Sequence, residues 1–87
     1  MWFCYMVKCS DSSYYVGITK DLELRVSEHN AGHGSAYTAA RRPVQLIWSE
    51  EHETRSSATK RERQMKRWRR TRKEALIDTG KLHVKKA

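Results

Sequence analysis

Apolar positions follow two different periods along this chain. Residues 2–8, WFCYMVK, form a nearly unbroken apolar and aromatic run, the pattern of a strand covered on both faces. Asp11, Ser12 and Ser13 come next, short polar side chains that satisfy backbone groups within a turn. Residues 14–18, YYVGI, predict the return strand of a hairpin, and Gly17 inside it predicts either a bulge or a close approach by another part of the chain. The period then lengthens. Thr19 or Asp21 suits an N-cap, and LELRVSEHN sets Leu22, Val26 and His29 at helical spacing with Arg25 beside them. Asn30, Ala31 and Gly32 predict the end of that helix, because Asn and Gly tolerate left-handed backbone. Residues 32–38 read as a small polar loop, a connection that is also able to lie against phosphate.

Pro43 marks the start of a third strand, VQLIWSEE, over residues 44–51. From about Thr54 helical spacing returns in SSATKRERQMKRWRRTRKEALI, with Ala58, Met65 and Trp68 as its buried stripe and Ala75, Leu76 and Ile77 closing the core. A break near Thr71 divides this segment in two, Gly80 predicts its stop, and residues 81–87 predict a frayed basic tail. The order β-β-α-β-α-α predicts a mixed α/β fold of the α+β kind. It is a single domain over residues 1–80, with helices packed on a three-stranded sheet that begins as an antiparallel hairpin.

Composition narrows the class. A chain of 87 residues suits one small domain that buries about 60–65% of the surface its unfolded form exposes. The net charge is +8 and the isoelectric point near 9.9, but the charge is concentrated. Positions 60–74 hold nine Lys or Arg against two Glu. One basic patch of this kind suits a polyanion, nucleic acid first, since phosphate contacts supply affinity independent of sequence. Cys4 and Cys9, at odd spacing in a strand, point to opposite faces and are not expected to form a disulfide. The four histidines and two cysteines show no paired zinc spacing. No secretory segment precedes the first strand and no apolar run approaches the ~20 residues of a membrane span, so a reduced, cytoplasmic protein without membrane contact is expected.

Four side chains in the first third are placed to share one cleft. Tyr5 and Tyr15 lie on neighbouring strands of the hairpin, and Arg25 and His29 stand one helical turn apart on one face. A phenol has an unperturbed pKa of about 10, so basic action requires a nearby cation or metal. Arg25 supplies a cation that also stabilises charge gathered at phosphorus. Glu62 is the lone carboxylate within the first half of the basic run. It reads either as surface charge balance or as a ligand for a hard divalent cation whose remaining shell is water and phosphate.

These residues resemble the GIY-YIG nuclease superfamily. Phe3-Cys4-Tyr5 stands where its first triplet does, Tyr15-Val16-Gly17 where its second does, Arg25 and His29 match the Arg-x3-His pattern, and Glu62 in RERQMK matches its metal-binding glutamate. With GSAYTAARRPV, the whole is similar to the small stand-alone bacterial proteins of the UPF0213 kind. The resemblance implies a three-stranded antiparallel sheet flanked by helices and hydrolysis of DNA phosphodiester bonds with one Mg²⁺ or Mn²⁺. It assigns catalytic roles to Tyr5, Tyr15, Arg25 and His29, leaves open which tyrosine is the base, and gives the metal to Glu62. Where some family nucleases carry a lysine after the second triplet this chain has Ile18, so a relay role for such a lysine falls to Lys20 or is lost. Nucleic-acid contacts fall to Lys60, Arg61, Arg63, Lys66, Arg67, Arg69 and Arg70. The expected function is a structure-selective endonuclease linked to DNA repair or processing. The alternatives are a non-catalytic DNA- or RNA-binding module that keeps the fold, and a subunit docking on an acidic protein.

Overall fold

A computed structural model describes the backbone of residues 1–86 and the side chains of residues 1–78. Strands β1 (Trp2–Lys8) and β2 (Tyr14–Thr19) are followed by helix α1 (Leu22–Asn30) and a short helix α2 (Ala36–Ala39). Strand β3 (Gln45–His52) and helices α3 (Arg55–Lys66) and α4 (Arg70–Lys86) complete the order. The sheet is antiparallel throughout, in the order β2-β1-β3. The first strand is central and its four middle residues, 4–7, are buried, as an apolar run without alternation requires.

Alternation along β1 divides the core in two. Cys4 and Met6 face α3 and α4, where they meet Val16, Trp48, Met65 and Ile77. Tyr5, Val7 and Cys9 face the other side with Val44, under Tyr15, Leu22 and Val26. The two cysteines are free, buried and on opposite sides, and burial pushes the Cys4 thiol up to about 12, so at neutral pH it is a protonated packing group. In β3, Met6 pairs with Trp48 but Val7 with Leu46, which leaves Ile47 as a bulge that turns it and Trp48 to the same core.

The turn chemistry is as predicted: Asp11 Oδ1 accepts from the Ser13 amide at 3.0 Å. Asp21, not Thr19, caps α1, accepting from the Leu24 amide at 3.1 Å, while Thr19 steadies Asp21 itself. At the other end Gly32 takes the left-handed conformation, φ 89°. Its amide and that of His33 close on the carbonyls of His29 and Glu28 in a Schellman arrangement. Asn30 remains the last helical residue, and its side-chain amide brackets the backbone of Val44, donating at 3.1 Å and accepting at 2.7 Å.

Four expectations are corrected. Residues 36–39 are helical, because Ser35 caps them by accepting from the Thr38 amide. The break between the last helices falls at residues 67–69, where the Arg67 amide turns back to Gln64. Ala75 is exposed, and Ile77 with partly buried Leu76 closes the core. Finally, α4 runs through Gly80 to Lys86, since one glycine costs a helix only about 1 kcal/mol. The side chains of the predicted basic tail lie outside the described residues.

Candidate active site

The first strand sets the floor of the site. Tyr5 pairs with Gly17 across the β1–β2 ladder, and its ring leans over that glycine. A Cβ at Gly17 would meet the Tyr5 hydroxyl at 2.5 Å, so the close approach predicted at Gly17 comes from a side chain rather than a backbone. The phenol is 1% exposed and its oxygen lies 2.7 Å from His29 Nε2. Arg25, one turn before His29 on α1, donates from Nε to the same oxygen at 3.4 Å. Arg25 is held in place by Glu28 at 3.1 Å and by the carbonyl of Gly34 at 3.0 Å. Tyr15, two residues along β2 on the same face, sets its ring edgewise to His29, centroids 5.4 Å apart. Sequence reasoning thus placed four groups in one cleft, and the fold brings all four together.

The two tyrosines are not equivalent there. Burial pushes the Tyr5 phenol up to about 12, outweighing the Arg25 guanidinium that pulls the other way. Tyr15 is half-buried. It stacks on Tyr37 of α2 at 6.0 Å, and the Arg41 guanidinium covers Tyr37 at 3.8 Å. A mouth of cation and aromatic rings therefore leads down to a buried tyrosine–imidazole pair.

His29 is fully buried, and burial first, then the Arg25 charge, lower its pKa below 6.5, with Glu28 opposing. The unfolded chain consequently binds more protons than the native state once the pH falls past about 6.5. Stability present at neutral pH is lost as the pH falls from there through the lower folded value. Urea midpoints should decline between pH 7.5 and 5.5, and His29→Gln should flatten that decline whatever its own cost. A midpoint that rises on acidification would contradict the burial of a neutral imidazole.

Helix α3 lies on the opposite face of the sheet, with Ala58 and Met65 turned inward. From there Lys66 reaches the Tyr15 ring, its ammonium 5.3 Å from the centroid, while 3.2 Å from the carboxylate of Glu62. Glu62 thus stands at the same mouth as Tyr15, and its charge is felt at the Tyr5 hydroxyl, which it pushes upward. Among the described residues no three His, Cys, Asp or Glu side chains gather to enclose a metal ion. One half-buried carboxylate paired with a lysine near the Tyr15 ring fits a hard cation that keeps most of its water, as Mg²⁺ or Mn²⁺ does, and does not fit a closed structural metal site.

The predicted nucleic-acid contacts separate on inspection. Lys60, Arg63, Arg67 and Arg69 are exposed. Arg61 pairs with Glu50 at 3.2 Å between the rings of Trp48 and Trp68. Arg70 donates to the Ser12 carbonyl at 2.6 Å, pairs with Glu74 and covers the Tyr14 ring. These two cations fasten the helices to the sheet. Lys20 lies over the Trp2 ring, its ammonium 5.4 Å from the centroid.

Three residues of the site escaped sequence reasoning. Thr38, fully buried, bonds His29 Nδ1 at 2.7 Å, Ser35 caps the helix that carries Thr38, and Gly34 lies flat on the imidazole. Ser35 is an N-cap residue type and the one sequence mark of the short helix; nothing in the sequence marks Gly34 as a wall.

The family described as the GIY-YIG catalytic domain matches residues 1–75. A UPF0213 protein of Staphylococcus aureus strain Mu3 is 51% identical over 75 residues, covering 86% of this chain and 92% of that one. The solution NMR structure of EF2693 from E. faecalis superimposes with a TM-score of 0.61 at 45% identity, over 92% of this chain and 85% of that one. The UPF0213 protein BH0048 from Bacillus halodurans gives 0.58 at 31% identity, over 91% and 85%. In the described residues no helix is long and apolar enough to cross a membrane.

Proposed function

Because the chain belongs to the GIY-YIG catalytic-domain family, we infer that it is a nuclease-type domain that acts on nucleic acid. On that premise we propose that it is a divalent-metal-dependent endonuclease that hydrolyses DNA phosphodiester bonds, selects its target by structure and serves DNA repair or processing. The observation that carries this reading is the hydrogen-bonded centre of Tyr5, Arg25 and His29, with the Tyr15 ring set edgewise against the imidazole, beneath a cationic mouth. Exposed Lys60, Arg63, Arg67 and Arg69 attract the DNA backbone, and Arg25 holds the scissile phosphate and stabilises the charge that grows on its oxygens.

A water attacking phosphorus forms the new P–O bond as the bond to the departing sugar oxygen breaks. Its proton passes to a tyrosine oxygen. Tyr5 has His29 Nε2 in contact to receive its own proton in turn, while Tyr15 is the more accessible of the two. Glu62 would hold the Mg²⁺ or Mn²⁺, which supplies, when bound, charge stabilisation at the phosphate and the leaving oxygen. For Glu62 to serve, Lys66 must release it, a rearrangement that a surface ion pair worth about 0–1 kcal/mol permits.

The test is a panel of end-labelled DNAs, single-stranded, duplex, nicked and branched, incubated with the purified protein and Mn²⁺ beside an EDTA control. Cutting of at least one structure, lost in EDTA, is expected. Binding of these DNAs without cutting any of them would leave a non-catalytic nucleic-acid-binding module instead.

A further inference from the structure

His29 is bonded at both ring nitrogens, to Tyr5 and to Thr38, and both bonds are 2.7 Å long and buried. A neutral imidazole carries one proton, so one of these bonds is donated by the ring and the other accepted. Proton accounting around the ring decides which. The Tyr5 oxygen already receives the Arg25 Nε–H. If His29 Nε2 also donated to it, the Tyr5 hydroxyl proton would need a third partner, and among the described residues none lies within reach. A buried hydroxyl left in that condition bears its desolvation penalty with no bond to offset it. The other assignment closes without remainder. Thr38 donates its proton to the Ser35 carbonyl at 3.3 Å and accepts from His29 Nδ1, while Tyr5 donates to Nε2.

We propose that Thr38 is a positioning residue that holds His29 in its Nδ1-protonated form, so that Nε2 meets the Tyr5 hydroxyl as a lone pair. Transfer then balances simply: the Tyr5 O–H proton moves to Nε2, the imidazolium keeps its Nδ1–H on Thr38, and the phenolate left behind faces the Arg25 guanidinium. With the opposite tautomer Nε2 already holds a proton and the transfer has no acceptor. The ionisable groups facing His29 are Tyr5 from β1, Tyr15 from β2, and Arg25 and Glu28 from its own helix; α2 contributes only the uncharged Thr38. The catalytic consequence rests on the nuclease reading, whereas the tautomer itself does not.

The experiment is long-range ¹H–¹⁵N correlation NMR of the His29 ring in the ¹⁵N-labelled full chain at pH 7.5, assigned by its loss in His29→Gln. The wild type is expected to show a protonated Nδ1 and a bare Nε2. Thr38→Val should shift the ring toward the Nε2-protonated form, and Thr38→Ser should restore the wild-type pattern. Thr38→Ala repeats the test without added atoms if the valine disturbs the loop. Nicking, where present, should fall about tenfold to a hundredfold in Thr38→Val and recover in Thr38→Ser, the usual scale for an outer hydrogen bond that orients an imidazole. An Nε2-protonated wild type overturns the proposal, as does an unchanged ring in both Thr38→Val and Thr38→Ala. Wild-type protein that cuts no DNA yet shows the expected tautomer upholds the proposal and sinks the nuclease reading alone.

Discussion

Glu62→Ala protein is expected to lose Mn²⁺-dependent nicking by about a thousandfold while binding DNA at least as well as the wild type. The loss follows from removing the carboxylate proposed to hold the metal, on a scale similar to deleting a major source of transition-state charge stabilisation. Undiminished binding follows from charge: the substitution removes a negative group and frees the Lys66 ammonium, so the surface grows more cationic. Circular dichroism and a filter-binding salt titration, run beside the nicking assay, separate the two effects. Equal cutting by wild type and variant would remove Glu62 from the reaction, and loss of both cutting and binding would show that it serves the fold.

A methyl group at Gly34 is expected to be nearly as damaging, although this residue contacts no DNA in the scheme above. A Cβ there would come within 2.6 Å of His29 Cε1 and closer still to Nδ1. The ring cannot yield freely, because Tyr5 and Thr38 hold its two nitrogens. The loop must move instead, taking with it the Gly34 carbonyl that orients Arg25. Gly34→Ala should therefore lower thermal or urea stability by about 1–3 kcal/mol, the usual range for overpacking. It should also cut activity a hundredfold or more, since displacements of about 1 Å have that effect on positioned groups. Wild-type activity in Gly34→Ala would mean that the loop relaxes away from the imidazole without disturbing it.

The ease of reading varied with how local each cause was. The hairpin, α1 and the strands were legible because an apolar run, an Asx turn and an N-cap act over a few residues. The short helix at 36–39 was missed because four residues offer no periodicity, and only the Ser35 cap betrays it. The passage of α4 through Gly80 was missed because a single glycine costs a helix only about 1 kcal/mol and so is a weak stop. Among the basic residues, those such as Arg61 and Arg70 that fasten a helix to the sheet are indistinguishable from Lys60 or Arg63 in a run of like charges. The choice depends on Glu50, Trp48 and Ser12, which are distant in sequence.

By itself the amino-acid sequence determined the hairpin that puts Tyr5 and Tyr15 on one face, the turn of helix that pairs Arg25 with His29, and the identity of Glu62 as a carboxylate among cations. These depend on backbone periods and on chemical type, both local properties. The tertiary structure alone decided that Tyr5 is the buried partner and Tyr15 the accessible one. It alone turned a plain-looking loop into the wall and the hydrogen-bond partner of the imidazole, and set Lys66 between Glu62 and Tyr15. Burial and hydrogen-bond closure are properties of what surrounds a side chain, and here those surroundings come from segments as far apart as Tyr15 and Lys66.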